Sequence, residues 1–296
     1  MSSDVHVCLL GFGEVGKILA TDLQLHGVQH ISAWDTQFAD PDSAPAKAVR
    51  SSGVTPAADA AQAVARATWV ISAVTAAQDV AAAESVTAHL APDAFFMDLN
   101  SVSPGVKQQA AAMIGAGRGR YVEAAIMAPI APRRIASPIL LGGPHARQFA
   151  TIAHRHGFAG AEVFSDSIGQ ASAAKMCRSV IIKGMEALLT ESLLAARHYG
   201  VEDTVIQSLN NLIPGSDWRS LARYMISRSL QHGARRAEEM RQAAVTVGEC
   251  GLTPWMSGAS AERQQWAAQF GALAAHEPLD ALLDSFLAAA AENQSC

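Results

Sequence analysis

The 296-residue sequence lacks the features that mark several large classes of protein. Its four cysteines (Cys8, Cys177, Cys250 and Cys296) form no C-x-x-C pair, which argues against a disulfide framework and a cysteine zinc site. The first residues have no basic segment followed by a long apolar one, so we expect no signal peptide, and no apolar run approaches the roughly 20 residues of a membrane helix. The net charge of −5 provides no basic surface for nucleic acid. We expect a cytoplasmic protein with no membrane partner, no nucleic-acid partner and no metal.

Up to about residue 165, short apolar runs alternate with amphipathic helical stretches. Six buried strands are predicted: Val5–Leu10, Ile31–Trp34, Trp69–Val74, Phe95–Leu99, Tyr121–Ala125 and Ile139–Leu141. The helices predicted between them include Gly16–His26, Ala58–Ala67, Val80–Leu90 and Val106–Ile114. Strands separated by helices imply parallel pairing, so residues 1–165 are predicted to form a doubly wound α/β domain.

The remainder of the chain carries no strand signal. Aromatic residues are only 6% of the sequence, and the abundant alanine favours helices. Helices are predicted at Ser167–Tyr199, 202–212, 217–231, 233–249, 259–275 and 279–291, with breaks at glycine, proline and His276–Pro278. The predicted fold is therefore a doubly wound parallel Rossmann sheet followed by an all-α domain, residues 166–296.

A glycine-rich loop follows the first predicted strand directly. Its residues are Gly11, Phe12, Gly13, Glu14, Val15 and Gly16, which have the spacing G-x-G-x-x-G. Between a strand and a helix, this spacing is typical of a dinucleotide-binding turn. Gly11 permits the tight turn, Gly13 the approach of a pyrophosphate and Gly16 close helix packing. The backbone N–H groups and the helix dipole then bind the anion.

Asp35 ends the second predicted strand, where a carboxylate accepts a hydrogen bond from the adenosine ribose 2′-hydroxyl. A carboxylate there repels a 2′-phosphate, and the following residues include no arginine. The sequence therefore favours NAD over NADP as the cofactor. The alternative interpretation is that Asp35 is a turn residue at the end of a strand.

The sequence resembles the β-hydroxyacid dehydrogenase superfamily, which includes 3-hydroxyisobutyrate and 6-phosphogluconate dehydrogenases. Beyond the glycine loop, the resemblance rests on Val70–Thr75, Asp98–Pro104 and Gly169–Lys175. The resemblance implies that Val74 and Thr75 border the nicotinamide ribose and that Ser101 faces the nicotinamide amide. It also implies a homodimer that forms through the helical domain. The helical domain itself resembles that of a branch of the superfamily in which this domain has no assigned function.

The resemblance further implies that Lys175 is the general acid/base. Reducing a carbonyl requires a proton at the oxygen, which a partly desolvated lysine can supply. From the residues alone, a solvated helix lysine is the more common alternative. The family has asparagine four residues after this lysine, where this chain has Ser179, on the same helical face. Ser179 either orients the ammonium group or fills a tight helix contact.

The substrate loop departs from the family pattern D-x-P-V-S-G-G, which aligns with Glu123–Pro129. The hydroxyl and glycine positions that bind the substrate carboxylate become Met127, Ala128 and Pro129, which cannot supply the same hydrogen bonds. Candidate replacements for these contacts with the substrate are Arg133, His232 and Arg235. Arg134 adjoins Arg133, and Arg236 and Glu239 share the predicted helix face of His232 and Arg235. The alternatives are a solvated loop pair for Arg133 and Arg134, and a solvated helix face with an Arg236–Glu239 pair.

The sequence thus predicts an NAD(P)-dependent oxidoreductase that interconverts an alcohol, such as a hydroxy acid, and a carbonyl compound. Met127, Ala128 and Pro129 favour a small-molecule substrate that is bulkier or more apolar than a short 3-hydroxy acid. One alternative is an imine reductase, although Lys175 favours carbonyl chemistry. The other is a non-catalytic NAD(H)-binding sensor, which the altered substrate loop would suit.

Overall fold

The computed structural model describes residues 5–211, 214–275 and 278–294, so Cys296 and the predicted break at His276–Glu277 lie outside the described residues. The chain divides into two compact units, residues 1–176 and 177–296. The amino-terminal unit is built around one sheet, and the carboxy-terminal unit is helical. Within the described residues, no helix has the length and hydropathy needed to cross a membrane.

The sheet has eight strands within the described residues, in the order β3-β2-β1-β4-β5-β6-β7-β8. The strands are β1 (His6–Leu10), β2 (His30–Trp34), β3 (Thr55–Pro56), β4 (Trp69–Ser72), β5 (Phe95–Asp98), β6 (Arg120–Ile126), β7 (Ile139–Gly142) and β8 (Ala161–Ser165). All pairs are parallel except β6 and β7, which run antiparallel. The order reverses between β1 and β4, the switch point at which doubly wound sheets bind dinucleotides.

The helices of this unit pack on both faces of the sheet. They are α1 (Glu14–Leu25), α2 (Ala44–Arg50), α3 (Ala60–Val64), α4 (Asp79–Thr87), α5 (Pro104–Ala116), α6 (Ile130–Arg133) and α7 (Ala146–Arg155). Successive β1 residues alternate between the two cores: Val7 and Leu9 pack into one, Cys8 and Leu10 into the other. Both faces of the strand are therefore buried, as its continuous apolar run requires.

The six strands expected from the sequence are present, with boundary differences of one or two residues, and the Rossmann-like fold is confirmed. Two short edge strands, β3 and β8, were not expected, because β3 has two residues and β8 is half exposed. The expectation of parallel pairing is wrong for β6 and β7, which pair antiparallel, whereas β7 and β8 are parallel. The chain between Ile126 and Ile139 contains only one turn of α-helix and a 3₁₀ turn, too little for a right-handed crossover.

The helical unit continues a helix that starts in the amino-terminal unit. Its helices are α8 (Gln170–His198), α9 (Glu202–Ser208), α10 (Trp218–Glu249), α11 (Trp255–Ala267) and α12 (Leu279–Gln294). The sequence predicted two helices, 217–231 and 233–249, but α10 is continuous through the boundary between them, including Gly233. A β-carbon at Gly233 would lie 2.5 Å from the carbonyl oxygen of Gln264, so this glycine allows α11 to approach closely. It serves packing rather than helix termination.

Candidate active site

The glycine loop joins β1 to α1 at the carboxyl edge of the sheet. Gly11 has φ +89°, and a β-carbon there would lie 2.5 Å from the carbonyl oxygen of Ala73. A β-carbon at Gly16 would lie 2.3 Å from the carbonyl oxygen of Gly11. A β-carbon at Gly13, by contrast, would meet nothing within 4 Å. Gly11 and Gly16 are therefore required by the fold itself, whereas Gly13 leaves open space above the start of α1.

The helix start at this loop suits an anion. Gly13 is the N-cap of α1, and no side chain caps the helix there. The first N–H groups of a helix have no partner within the helix and carry its positive dipole end. The residues present thus fit a dinucleotide pyrophosphate, which would bind over Gly13. The side chain of Phe12 is fully buried against Phe38, so only its backbone faces the loop.

Substituting the glycines one at a time should separate their roles. We expect Gly16→Ala to destabilise the protein by several kcal/mol, since its β-carbon collides with rigid backbone. Gly13→Ala should leave the unfolding free energy within about 1 kcal/mol but weaken NADH binding at least about tenfold. Thermal denaturation without cofactor and fluorescence titration with NADH measure the two effects. An equal loss of stability in both variants would contradict this division.

Asp35 follows β2 at the same edge and bonds to the glycine loop. Its carboxylate accepts hydrogen bonds from the backbone N–H of Phe12 (2.7 Å) and of Gln37 (2.9 Å). It thus caps the 3₁₀ turn Thr36–Ala39, as the turn interpretation has it, and also reaches the glycine loop; its hydrogen bond to a ribose stays a prediction. A cavity of about 630 Å³ opens beside it, lined by Trp34, Asp35, Thr36, Phe38, Ala39, Pro56, Ala57 and Ala58. Its position at the end of β2 and its partly apolar walls suit an adenosine group.

The end of β4 is connected to the end of β5 by one buried amide. The side-chain oxygen of Asn100 accepts a hydrogen bond from the backbone N–H of Val74 at 2.7 Å. Its Nδ2 donates to Ser72 Oγ at 2.9 Å and to Asp79 Oδ1 at 2.6 Å. Val74 lies beside Gly11, so this amide holds the β4 end against the glycine loop. Thr75 is exposed and Ser101 half-buried at the same edge.

A buried ionic cluster beneath this edge was not expected from the sequence. Lys107 Nζ lies 2.6 Å from Asp98 Oδ1, and both side chains are 1% exposed. Tyr121 donates its hydroxyl to Asp98 Oδ2 at 2.7 Å, and the N–H of Asn100 donates to Asp98 Oδ1 at 2.9 Å. Asp98 and Asn100 belong to a segment that the family resemblance singled out. Lys107 lies on α5 and carried no comparable signal.

Asp79 is the second acid of this cluster. Burial, followed by the negative charge of Asp98, raises its pKa to about 7 despite the opposing effects of Lys107 and Asn100. An acid with a raised pKa binds its proton more tightly in the folded state than in the unfolded state. Its contribution to stability is therefore full below about pH 4 and is lost as the pH rises through about 7.

We accordingly expect the free energy of unfolding of Asp79→Asn to increase, relative to that of the wild type, as the pH rises from about 5 to about 8. The gain should reach on the order of 2 kcal/mol, because the variant has no buried charge to desolvate. Urea unfolding at the two pH values measures it. Asp42→Asn, at an exposed aspartate paired with Lys47, is the matched control and should show no such trend. The same trend in both variants would refute the assignment to Asp79.

Lys175 lies in the second turn of α8 and is half-buried. Ser179 lies one turn further along the same helix and is 4% exposed. Lys183 donates a hydrogen bond to Ser179 Oγ at 3.0 Å and forms an ion pair with Glu239 at 2.5 Å. Since an ammonium group can only donate, Ser179 keeps its own hydroxyl hydrogen for another acceptor. No sequence pattern singled out Lys183.

The altered substrate loop follows β6. Met127 and Ala128 are half-buried, Pro129 is exposed, and the N–H of Met127 donates to the carbonyl of Pro138 at 2.9 Å. Arg133 is exposed at the end of α6. Its neighbour Arg134 binds Asp22 of α1 through two N–H groups, at 2.7 and 2.9 Å. Both arginines are exposed, but Arg134 has a structural partner in Asp22.

The arginines of α10 divide in a similar way. Arg235 is exposed and pairs with Glu239 at 3.1 Å, whereas Arg236 is 8% exposed and pairs with Glu186 at 2.5 Å. The solvated-face alternative paired Glu239 with Arg236, whereas the structure pairs Glu239 with Arg235. His232 is half-buried, and its Nε2 lies 2.7 Å from an N–H group of Arg228. Arg236 and Glu186 form a buried pair that the sequence did not single out.

These features define the amino-terminal unit as a Rossmann domain with a nicotinamide-dinucleotide site. The family model described as the NAD binding domain of 6-phosphogluconate dehydrogenase matches residues 6–153, half of the chain. A domain of unknown function (DUF1932) matches residues 196–267. The chain therefore belongs to the β-hydroxyacid dehydrogenase superfamily, in the branch that carries this helical domain.

Two solved structures are related in sequence. A conserved hypothetical protein from Sinorhizobium meliloti 1021 is 39% identical, with a TM-score of 0.72 over 89% of this chain and 88% of that one. A conserved protein of unknown function, described as structurally similar to 3-hydroxyacid dehydrogenases, is 30% identical, with a TM-score of 0.69 over 90% and 99%. An uncharacterized 28.5 kDa protein of Methanothermus fervidus is 27% identical over 54% of this chain; the matched region spans 61% of that protein.

More distant structures show the same fold. The 3-hydroxyisobutyrate dehydrogenase of Mycobacterium tuberculosis is 18% identical, with a TM-score of 0.69 over 95% of this chain and 99% of that one. An imine reductase from Myxococcus stipitatus is 17% identical, with a TM-score of 0.58 over 96% and 99%. Because dehydrogenases and imine reductases share the fold, the fold alone does not distinguish between the two reactions.

Proposed function

We propose that the protein is an NAD(P)-dependent oxidoreductase that interconverts an alcohol and a carbonyl compound, with Lys175 as general acid/base. The observation that carries the proposal is the cofactor cradle, in which Gly13 leaves open space over the start of α1 beside Asp35. Membership of a dehydrogenase superfamily supports it, as does a half-buried lysine at the start of α8.

The chain's own residues supply binding, orientation and proton transfer. When bound, the nicotinamide supplies or accepts the hydride. The N–H groups over Gly13 hold the pyrophosphate, and Asp35 accepts from the adenosine ribose. Val74, whose N–H donates to Asn100, and Thr75 would border the nicotinamide ribose, and Ser101 would face the nicotinamide amide. Lys175 delivers a proton to the carbonyl oxygen during reduction and removes it from the hydroxyl during oxidation.

A preference for NAD over NADP follows from Asp35. We expect Asp35→Asn to weaken NADH binding about tenfold, because a charge-assisted hydrogen bond to the ribose becomes a neutral one. NADPH binding should change less or improve, since the repulsion of the 2′-phosphate is lost. Fluorescence titration with each cofactor measures the ratio, and Asp40→Asn, an exposed aspartate nearby, is the matched control. An unchanged ratio of the two affinities would contradict the preference.

The substrate pocket of this proposal is less polar than that of a short 3-hydroxy acid dehydrogenase. Met127, Ala128 and Pro129 offer few hydrogen bonds, so we expect a bulkier or more apolar alcohol, with Arg133, His232 or Arg235 available for a remote carboxylate. A panel of hydroxy acids, secondary alcohols and cyclic imines, each assayed with NAD(H) and NADP(H), tests the reaction class. Turnover of imines alone would favour imine reduction, and tight NADH binding without any turnover would favour a sensor.

A homodimer through the helical unit is part of the same proposal. Several large apolar side chains of this unit are exposed, among them Ile181, Leu188, Leu252, Trp255 and Met256. Exposed apolar groups of this size favour burial in an association surface. Light scattering of the purified protein measures its mass in solution, and a monomer at all concentrations would exclude the dimer.

A further inference from the structure

Glu123 is a fully buried carboxylate in the middle of β6. Its Oε2 accepts a hydrogen bond from the backbone N–H of Gly169 at 2.7 Å, and its Oε1 accepts one from the N–H of Ser172 at 2.6 Å. The N–H of Ser172 belongs to the first turn of α8, which begins at Gln170, and Gly169 is the residue directly before the helix. One side chain of the sheet therefore holds the start of the helix that carries Lys175.

Two glycines make room for this arrangement. A β-carbon at Gly142, the β7 residue paired with Glu123, would lie 2.5 Å from Glu123 Oε2. Gly169 has φ +104°, a conformation that turns the chain into α8 and is strained for other residues. Ser172 also donates its hydroxyl to the carbonyl of Gly169 at 3.1 Å. The turn is thus fixed by backbone conformation, by packing and by hydrogen bonds.

The chemistry of the contact explains why a charged group is tolerated there. The first N–H groups of a helix have no partner within the helix and carry its positive dipole end. The Glu123 carboxylate accepts one of them, from Ser172, together with the N–H of Gly169 directly before the helix. Both are charge-assisted hydrogen bonds, which offset the cost of burying the charge. Lys175 follows Ser172 by one turn of the same helix. Fixing the N–H of Ser172 therefore fixes the height and rotation of the turn that carries Lys175.

We propose that Glu123 is a positioning residue, which sets the place of Lys175 for proton transfer by binding the first turn of α8. The proposal rests on the proposed function of Lys175. Proton transfer needs donor and acceptor within about 2.6–3.2 Å, and a displacement of about 1 Å lowers the rate on the order of 100-fold. A helix start released from β6 would allow such a displacement without removing any group that touches cofactor or substrate.

The first test needs no turnover. Glu123→Gln keeps the size of the side chain but turns an N–H donor towards one of the two backbone N–H groups. We expect amide hydrogen exchange at residues 169–175 to accelerate about tenfold or more. Acetylation of Lys175 by acetic anhydride, followed by peptide mass spectrometry, should also accelerate, relative to Lys47 of the same molecule. Unchanged exchange and unchanged acetylation in a folded Glu123→Gln protein would overturn the proposal.

Two further variants and one control separate positioning from general stability. Gly142→Ala keeps the charge and displaces the carboxylate, so it should reproduce the effects of Glu123→Gln on exchange and acetylation. Glu123→Asp should show these effects only in part. Asp217→Ala removes a different helix cap, which accepts a hydrogen bond from the N–H of Ser220 on α10 at 3.0 Å. It should leave exchange at residues 169–175 and acetylation of Lys175 unchanged. Equal effects from Asp217→Ala would reduce Glu123 to a purely structural role.

Kinetics complete the test with any substrate that the panel identifies. Glu123→Gln should lower kcat about tenfold to 100-fold, while KM and the Kd for NADH stay within about twofold. Glu123→Asp should recover part of kcat. A loss confined to KM, or no loss, would overturn the proposal. If the wild type turns over nothing, the proposed function fails, and exchange and acetylation still decide whether Glu123 positions Lys175.

Discussion

Replacing Lys175 by alanine should lower kcat by at least about 100-fold to 10,000-fold while leaving NADH binding within about twofold. Lys175 is the ionisable side chain that the proposed mechanism uses for the proton of the substrate oxygen. Alanine has a higher helix propensity than lysine, so α8 should remain intact. The cradle around Gly13 and Asp35 lies on other elements and does not depend on this side chain. Steady-state kinetics and fluorescence titration with NADH measure the two quantities.

Two further variants make the result specific to proton transfer. Lys175→Arg keeps the positive charge but places it on a guanidinium group, whose pKa is too high for it to release a proton at neutral pH. We expect it to be as inactive as Lys175→Ala. Lys47→Ala, which removes an exposed lysine of α2 paired with Asp42, should retain full activity. Normal turnover in Lys175→Ala would refute the assignment, and activity in Lys175→Arg would indicate that only the charge matters.

The cofactor half of the site could be predicted from the sequence because its signal is local. Gly11, Gly13 and Gly16 lie within six residues, and their spacing has a steric cause that any such turn shares. The structure agrees with that cause at Gly11 and Gly16, where a β-carbon would meet backbone atoms. Asp35 follows from the same logic, because it ends the neighbouring parallel strand.

The supporting contacts could not be predicted, because they join distant parts of the chain. Glu123 and Gly169 lie 46 residues apart, and Arg134 and Asp22 lie 112 apart. The arginine pair on α10 shows a further limit. Adjacent residues of a helix point about 100° apart, so a shift of one residue exchanges a buried group for an exposed one. One of the two interpretations of the charge pattern paired Arg236 with Glu239, whereas Arg236 is buried against Glu186.

The largest effect on stability should come from Lys107→Met. The substitution conserves most of the apolar stem of the side chain but leaves Asp98 buried without its cation. Breaking a buried ion pair by removing one partner costs about 3–5 kcal/mol, mostly from the uncompensated charge that remains. Asp79 lies in the same cluster, and Lys107 is one of the groups that lower its pKa. Removing Lys107 should therefore raise the pKa of Asp79 further and make the loss greater at alkaline pH.

The control for this prediction is the same substitution at an exposed pair. Lys47→Met breaks a contact with Asp42 whose side chains are 57% and 86% exposed, and it should cost less than about 1 kcal/mol. Adding Asp98→Asn to Lys107→Met removes the stranded charge and should recover part of the lost stability. Urea unfolding compares the free energies of unfolding of Lys107→Met, Lys47→Met and the double variant with that of the wild type. Because Asp98 also binds the N–H of Asn100, which holds Val74, the single variant should bind NADH more weakly as well. Equal costs at Lys107 and Lys47 would mean that the buried cluster contributes nothing beyond a surface ion pair.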